Sequence, residues 1–238
     1  MDLSLSRLRI GRTAIIGGAS STLNDGIVSF WTLNEESGTR ADSVGSNDLT
    51  DNNTVGFDTG KVGNAASFVQ ANSEYLSVTD DSLNTGDEDF TLALWIKPTS
   101  TGVGTGFLSI VGVEGECVIW YRGSFSDLRV RVWRSVSGTL DLAGGGSLAT
   151  DAFTSLVLWY DQSAQTLYMS KNNAAAISTS LGEAKAAATS NPFTVGSENT
   201  VGSYFDGLID AVGFWGRVLT DDERTELSNS GDGAEYPF

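Results

Sequence analysis

Histidine is absent from the 238-residue chain. That removes serine–histidine triads, imidazole general bases and histidine-ligated metal sites from consideration. Cysteine occurs once, at Cys117, so no internal disulfide can form and cysteine usage leaves the redox compartment open. Its flanks, Glu116 and Val118-Ile119-Trp120, are those of a buried strand thiol with no base beside it to make a reactive thiolate. Proline is scarce, 3 residues against 28 glycines, so turns must be built from Gly, Asn and Asp. Positive charge is also short. Lys and Arg number 14 against 30 Asp and Glu, for a net charge of −16, which argues against nucleic acid and anionic membranes as partners. No apolar run reaches the length of a membrane span. Arg7, Arg9 and Arg12 interrupt the apolar residues of the N-terminus, which does not read as a signal peptide; the expectation is a chain that folds in the cytoplasm where it is made.

What is present is strand pattern. Apolar residues make up 40% of the chain, enough for a sizeable core. Phe90, Leu92, Leu94 and Ile96 alternate with Thr91, Ala93, Trp95 and Lys97 until Pro98 ends the run. Residues 26–34 alternate Ile27, Ser29 and Trp31 against Val28, Phe30 and Thr32. Leu128, Val130 and Val132 alternate with Arg129, Arg131 and Trp133, and 108–113 pairs with 117–122 across a Glu-Gly turn. Residues 153–161 and 167–169 form a further pair. Residues 183–188, EAKAAA, favour a helix by composition, yet they lie between strands and read as a loop or short edge strand. After the turn Phe205-Asp206-Gly207, strict alternation puts Leu208, Asp210, Val212 and Phe214 on one face. Thr220 and Glu223 are spaced as a capping box that opens a short helix, and Gly231 stands where a left-handed cap closes one. The sum is one all-β domain, a two-sheet antiparallel sandwich over 23–238 preceded by an N-terminal arm over 1–22.

Several of these stretches resemble, in order, the motifs of laminin-G-like domains in the concanavalin A-like lectin/glucanase superfamily. Trp31, Leu33, Glu35, Ser37, Gly38, Asp42, Ser43, Gly45 and Asn47 match a W-x-L-x-E-x-S-G…D-S-x-G-x-N phrase. Gly63, Ala65, Phe68, Tyr75, Leu76 and Val78 match a hairpin phrase, with Gln70-Ala71 where a turn Asp/Asn-Gly is usual. Residues 90–98 resemble F-T-L-x-x-W-I-K-P, and 205–226 resemble the closing F-x-G-x-I-D-x-V strand and L-T-x-x-E helix. Ser155 replaces a family histidine. The resemblance spans about residues 26–231 and implies a jelly roll with a short C-terminal helix.

Three constellations bear on function. Glu114 and Glu116 share a strand face, but Gly115 between them makes a turn, and the remaining acids cluster in turns as solvated or capping groups; no catalytic residue is assigned and the chain is read as non-enzymatic. The resemblance implies a structural Ca²⁺ held by Asp42, Asn47 and Asp210; the alternatives are a salt bridge, with Arg40 as the pair of the inward carboxylate Asp210, or turn hydrogen bonds. Arg129, Arg131 and Trp133 form an outward strip of cation and ring, suited to a glycan or to a protein neighbour with an acidic patch. Residues 1–22 carry three arginines and one acid, a charge of +2 against −18 for the rest. They read either as a disordered tail or as an arm, with Arg7, Arg9 and Arg12, that docks on an acidic neighbour. The expectation is a structural or adhesive protein, a phage virion component such as a capsid decoration or tail-associated subunit, partnered by other virion proteins or copies of itself. The alternative is a carbohydrate-binding adhesin at the cell surface or outside the cell.

Overall fold

A computed structural model describes residues 21–99, 107–123, 126–198 and 203–238. In chain order its strands are β1 (Ile27–Trp31), β2 (Thr50–Asn52), β3 (Gly56–Thr59), β4 (Asn64–Phe68), β5 (Tyr75–Val78), β6 (Phe90–Pro98), β7 (Phe107–Val113), β8 (Cys117–Arg122), β9 (Asp127–Arg134), β10 (Gly138–Leu142), β11 (Thr154–Asp161), β12 (Thr166–Lys171), β13 (Ile177–Ser180), β14 (Phe193–Val195) and β15 (Gly207–Trp215). One helix, α1 (Asp221–Ser228), follows. An eight-stranded sheet runs β13-β12-β11-β6-β15-β4-β3, with β1 also on β15, and a seven-stranded sheet runs β10-β9-β8-β7-β14-β5-β2. The pairings within both sheets are antiparallel. The expected sandwich is the observed one.

The alternating runs fill the space between the sheets. Phe90, Leu92, Leu94 and Ile96 of β6 meet Leu128, Val130 and Val132 of β9 and Cys117, Ile119 and Tyr121 of β8 in one apolar cluster. A second cluster lies on the outer face of the eight-stranded sheet. There Phe30, Ala93, Val157, Trp159 and Trp215 are covered by Leu219, by Leu227 of α1, by Leu23 and by the terminal Tyr236 and Phe238. Both faces of the middle of this sheet are therefore covered, which is why β6 and β11 are buried at nearly every position.

Four local expectations are corrected. Bulges break the alternation of β1 between Ile27 and Ser29 and of β15 between Asp210 and Gly213. As a result Val28 packs with Trp31 in the main core while Ile27 joins Phe30 outside it. In β15, Ile209, Val212 and Phe214 share the core, and Asp210 does not lie on their face. The 63–78 stretch is no hairpin: β4 lies in the eight-stranded sheet and β5 in the seven-stranded one, linked by a 3-10 turn over Gln70–Asn72. The left-handed cap of α1 is Asn229 (φ 42°) rather than Gly231. By contrast, the Thr220–Glu223 capping box forms in full, the Glu-Gly turn joins β7 to β8, and 183–188 is a loop tied to β9 by a single bridge at Lys185.

The arm residues Arg7, Arg9 and Arg12 lie outside the described residues. From Thr22 onward the chain is tied to the body: Thr22 Oγ1 donates to Glu223 Oε1 at 2.6 Å, and Leu23 is fully buried with its carbonyl accepting from Trp215 Nε1 at 2.7 Å.

Candidate functional site

The outward strip of β9 exists, but its cations are committed. Asp127, Arg129, Arg131 and Trp133 fall at alternate positions of an unbulged strand, so they share the outer face of the seven-stranded sheet. Arg129 Nε donates to Asp127 Oδ2 at 2.9 Å. Arg131 donates to both oxygens of Asp141 on β10, at 2.9 and 3.2 Å. The register sets this bidentate pair, because Asp141 stands directly opposite Arg131. Hydrogen bonding to Asp141 raises the Arg131 pKa further, with burial acting against it. Both guanidinium groups also lie over the Trp120 ring, 5.8 and 5.3 Å from its centre. Trp120 is only 4% exposed although it points away from the core. Trp133 is half-buried on the same face, opposite Thr139.

The surface is thus an array of paired charges on a ring rather than a bare cationic strip. Glu198 completes it. The carboxylate accepts from Ser109 Oγ at 3.3 Å, and burial lifts its pKa above the ordinary carboxylate range, with the negative charge of Glu114 adding to the shift. Asp127 was missed in the sequence, although its parity with Arg129 could have revealed it. Trp120, Asp141 and Glu198 could not be found that way, since only strand register and a neighbouring loop bring them here.

The predicted calcium residues have separate sets of hydrogen-bond partners. Asp42 accepts from the N–H groups of Phe30 and Val44, each at 3.0 Å, and from that of Asn47 at 3.2 Å. The Asn47 amide donates to Ser29 Oγ and Ser82 Oγ. Asp210, fully buried, accepts from the N–H groups of Lys61 (2.6 Å) and Val62 (2.8 Å) through one oxygen, and its other oxygen has no partner among the described residues. N–H donors occupy both oxygens of Asp42 and one of Asp210, whereas a hard cation needs several free oxygen lone pairs. No group of three or more Asp, Glu, Cys or His that could hold a metal occurs among the described residues. Arg40 does not pair with Asp210 either: buried itself, it donates to the carbonyls of Gly38, Val55 and Gly56.

The acids read as structural have structural partners. Glu116, in the β7–β8 turn, accepts from Gly86 N–H (3.0 Å) and Thr189 N–H (2.8 Å) and pairs with the buried Lys185 Nζ at 3.4 Å. Asp87 accepts from the Tyr160 hydroxyl and from Lys185 N–H, each at 2.7 Å. Burial pushes the Cys117 thiol up to about 12, which keeps it protonated.

Comparison with known proteins bears on the fold. No curated protein matches the chain in sequence. Among solved structures it resembles the binding domain of Paraclostridial mosquitocidal protein 1 (TM-score 0.72, 15% identity, 87% of this chain and 53% of that one). It also resembles the binding domain of botulinum neurotoxin DC, solved in complex with rat synaptotagmin II (TM-score 0.67, 12% identity, 88% and 52%). A third likeness is to domain 4 of AbnA, a GH43 extracellular arabinanase from Geobacillus stearothermophilus, in complex with arabinotriose (TM-score 0.59, 17% identity, 84% and 97%). The chain spans about half the length of the two toxin binding domains, and at such identities the likeness concerns the fold. The family model described as the concanavalin A-like lectin/glucanases superfamily matches residues 70–223. With that match over well over half of the chain, and with two antiparallel sheets closed by the strand and capped helix of 207–228, the chain belongs to the laminin-G-like family of the concanavalin A-like lectin/glucanase superfamily.

Proposed function

We propose that the chain is a non-catalytic recognition module that engages a polar partner through the outer face of the seven-stranded sheet. The observation that carries this reading is the fixed row of Asp127, Arg129, Trp120, Arg131 and Asp141. Donors and acceptors held in place before binding lose little conformational freedom when a partner arrives. Such an array hydrogen-bonds a polar protein surface or a glycan; the prior pairing of its cations weakens its pull on a purely acidic patch. The similar structures support a binding role, since two are named as binding domains and one is in complex with arabinotriose. For the setting, we propose a phage virion, with residues 1–22 docking a +2 arm on an acidic neighbour and the −18 body displayed outside. The face is tested by replacing Arg131 and Trp133 together with alanine and measuring retention on candidate particles and on a glycan array. Loss of retention on one of them supports the reading; unchanged retention on both, or sugar cleavage by the purified chain, ends it.

A further inference from the structure

On the opposite side of the molecule, at the outer face of the eight-stranded sheet, an open cleft of ≈ 580 Å³ lies between α1 and the loop that joins β12 to β13. Its aromatic wall is built by register. Trp159 of β11 stands directly opposite Tyr168 of β12, and the two rings stack with centres 5.1 Å apart and planes 4° from parallel. Behind them the Arg224 guanidinium of α1 lies 4.0 Å from the centre of the Trp159 ring, so the tryptophan is held between a cation and a phenol. The strand neighbour of Tyr168 on its free side is Ser178, small and exposed, so the outer face of the half-buried tyrosine is left open. Ala174, Ala175 and Ala176 are exposed along the cleft and contribute no side chain long enough to fill it.

The polar groups around this wall include two carboxylates and an amide. Asp161 and Asp221 line the cleft. Hydrogen bonds from Ser163 and from the Ala164 backbone hold the Asp161 carboxyl below its usual range, so it stays ionised. Asn173 lines the same cleft and is positioned by its bond to Thr225. An open aromatic face beside carboxylates and an amide matches the two sides of a sugar ring: a C–H face that stacks and hydroxyls that donate. Two carboxylates beside a single paired guanidinium, on a chain of net charge −16, disfavour an anionic ligand. The volume suits a few sugar units at most. We propose that this cleft binds a neutral oligosaccharide, stacked on Tyr168 and hydrogen-bonded by Asp161, Asn173 and Asp221, independently of the Arg129–Arg131 surface.

The test uses the full chain with arabinotriose, xylotriose and cellotriose at millimolar concentration. Sialyllactose and tetramethylammonium serve as counter-probes, and binding is followed by calorimetry and tryptophan fluorescence. At least one neutral trisaccharide should bind. Ala175→Trp, which changes an exposed loop residue and fills the cleft without touching the core, should abolish that binding, and Tyr168→Ala should weaken it about tenfold. The Arg131→Ala/Trp133→Ala variant should bind the sugar like wild type, which separates this site from the opposite face. The proposal is overturned by no binding of any of the three sugars, by binding that survives Ala175→Trp, or by preference for sialyllactose or tetramethylammonium.

Discussion

Two buried carboxylates illustrate how environment sets the behaviour of a residue. Glu223 takes two guanidinium bonds from Arg217 (2.8 and 2.7 Å), one from Thr22, and the capping-box bonds of Thr220. Its pKa falls to about 2, chiefly through Arg217. With the folded value below the ordinary 4.5, its contribution is complete above that value and is lost as pH falls towards about 2. Glu223→Ala removes the carboxylate half of the capping box and the ion pair with Arg217, and should cost about 2 kcal/mol in urea denaturation at neutral pH. Asp210 is the opposite case. Burial lifts it to about 6 from 3.8, against the N–H bonds of Val62, Lys61 and Ala211. Between those values the folded chain binds more protons than the unfolded one, so this residue makes stability decline as pH rises through the window. Asp210→Asn should flatten the stability profile between about pH 4 and 6, as read from melting midpoints across a pH series. The capping role of Glu223 was legible from Thr-x-x-Glu spacing. Its bond to Arg217 was suggested by nothing in the pattern, and Lys61 and Val62, which donate to Asp210, lie in a loop almost 150 positions away.

At the scale of elements, β15 is the centre of the eight-stranded sheet, flanked by β6, β4 and β1. Its bulge, with Ala211 at φ 49°, moves the strand by one position so that Ile209 and Val212 both reach the core. Gly213 follows because a Cβ there would stand 2.4 Å from the Trp215 ring and 2.9 Å from that of Phe30. Gly213→Ala should destabilise by about 1–3 kcal/mol through overpacking, measured by chemical denaturation, with the secondary structure content unchanged by circular dichroism. The loop carrying Lys185 is fixed in a different way, by the buried Lys185–Glu116 pair and by Lys185 Nζ to Thr85 Oγ1 at 3.2 Å. Removing one partner leaves the other charge buried. Lys185→Met should therefore cost about 3–5 kcal/mol, whereas Lys185→Met combined with Glu116→Gln should recover part of the loss in a double-mutant cycle.

For the whole molecule, the acidic body and the basic N-terminal stretch set expectations that melting and assembly experiments can read. Asp42 accepts N–H bonds through both of its oxygens and Asp210 through one. Chelator should therefore leave the melting midpoint unchanged, and a fall of several degrees would restore a bound calcium to the picture. Deleting residues 1–21, which leaves the Thr22–Glu223 bond and the buried Leu23 in place, should abolish incorporation into particles while leaving the midpoint of the body intact. Two opposite faces, one of paired Arg and Asp on Trp120 and one of stacked Trp159 and Tyr168, make the sandwich a candidate two-sided adaptor.

By itself the sequence determined the sandwich, the alternating sets of β6 and β9, the capped helix, and the order of motifs that marks the family. Each of these rests on contacts between near neighbours or on strict alternation, in which side-chain direction reverses at every residue. Only the tertiary structure decided which sheet β4 and β5 join, where the bulges of β1 and β15 reset that alternation, and that Arg40 seeks carbonyls rather than Asp210. It alone brought Asp141 under Arg131 and Arg224 over Trp159. The physical reason is common to all of them: strand register and crossover between sheets are set by the packing of segments far apart in the chain, and one extra residue at a bulge turns every later side chain to the other face.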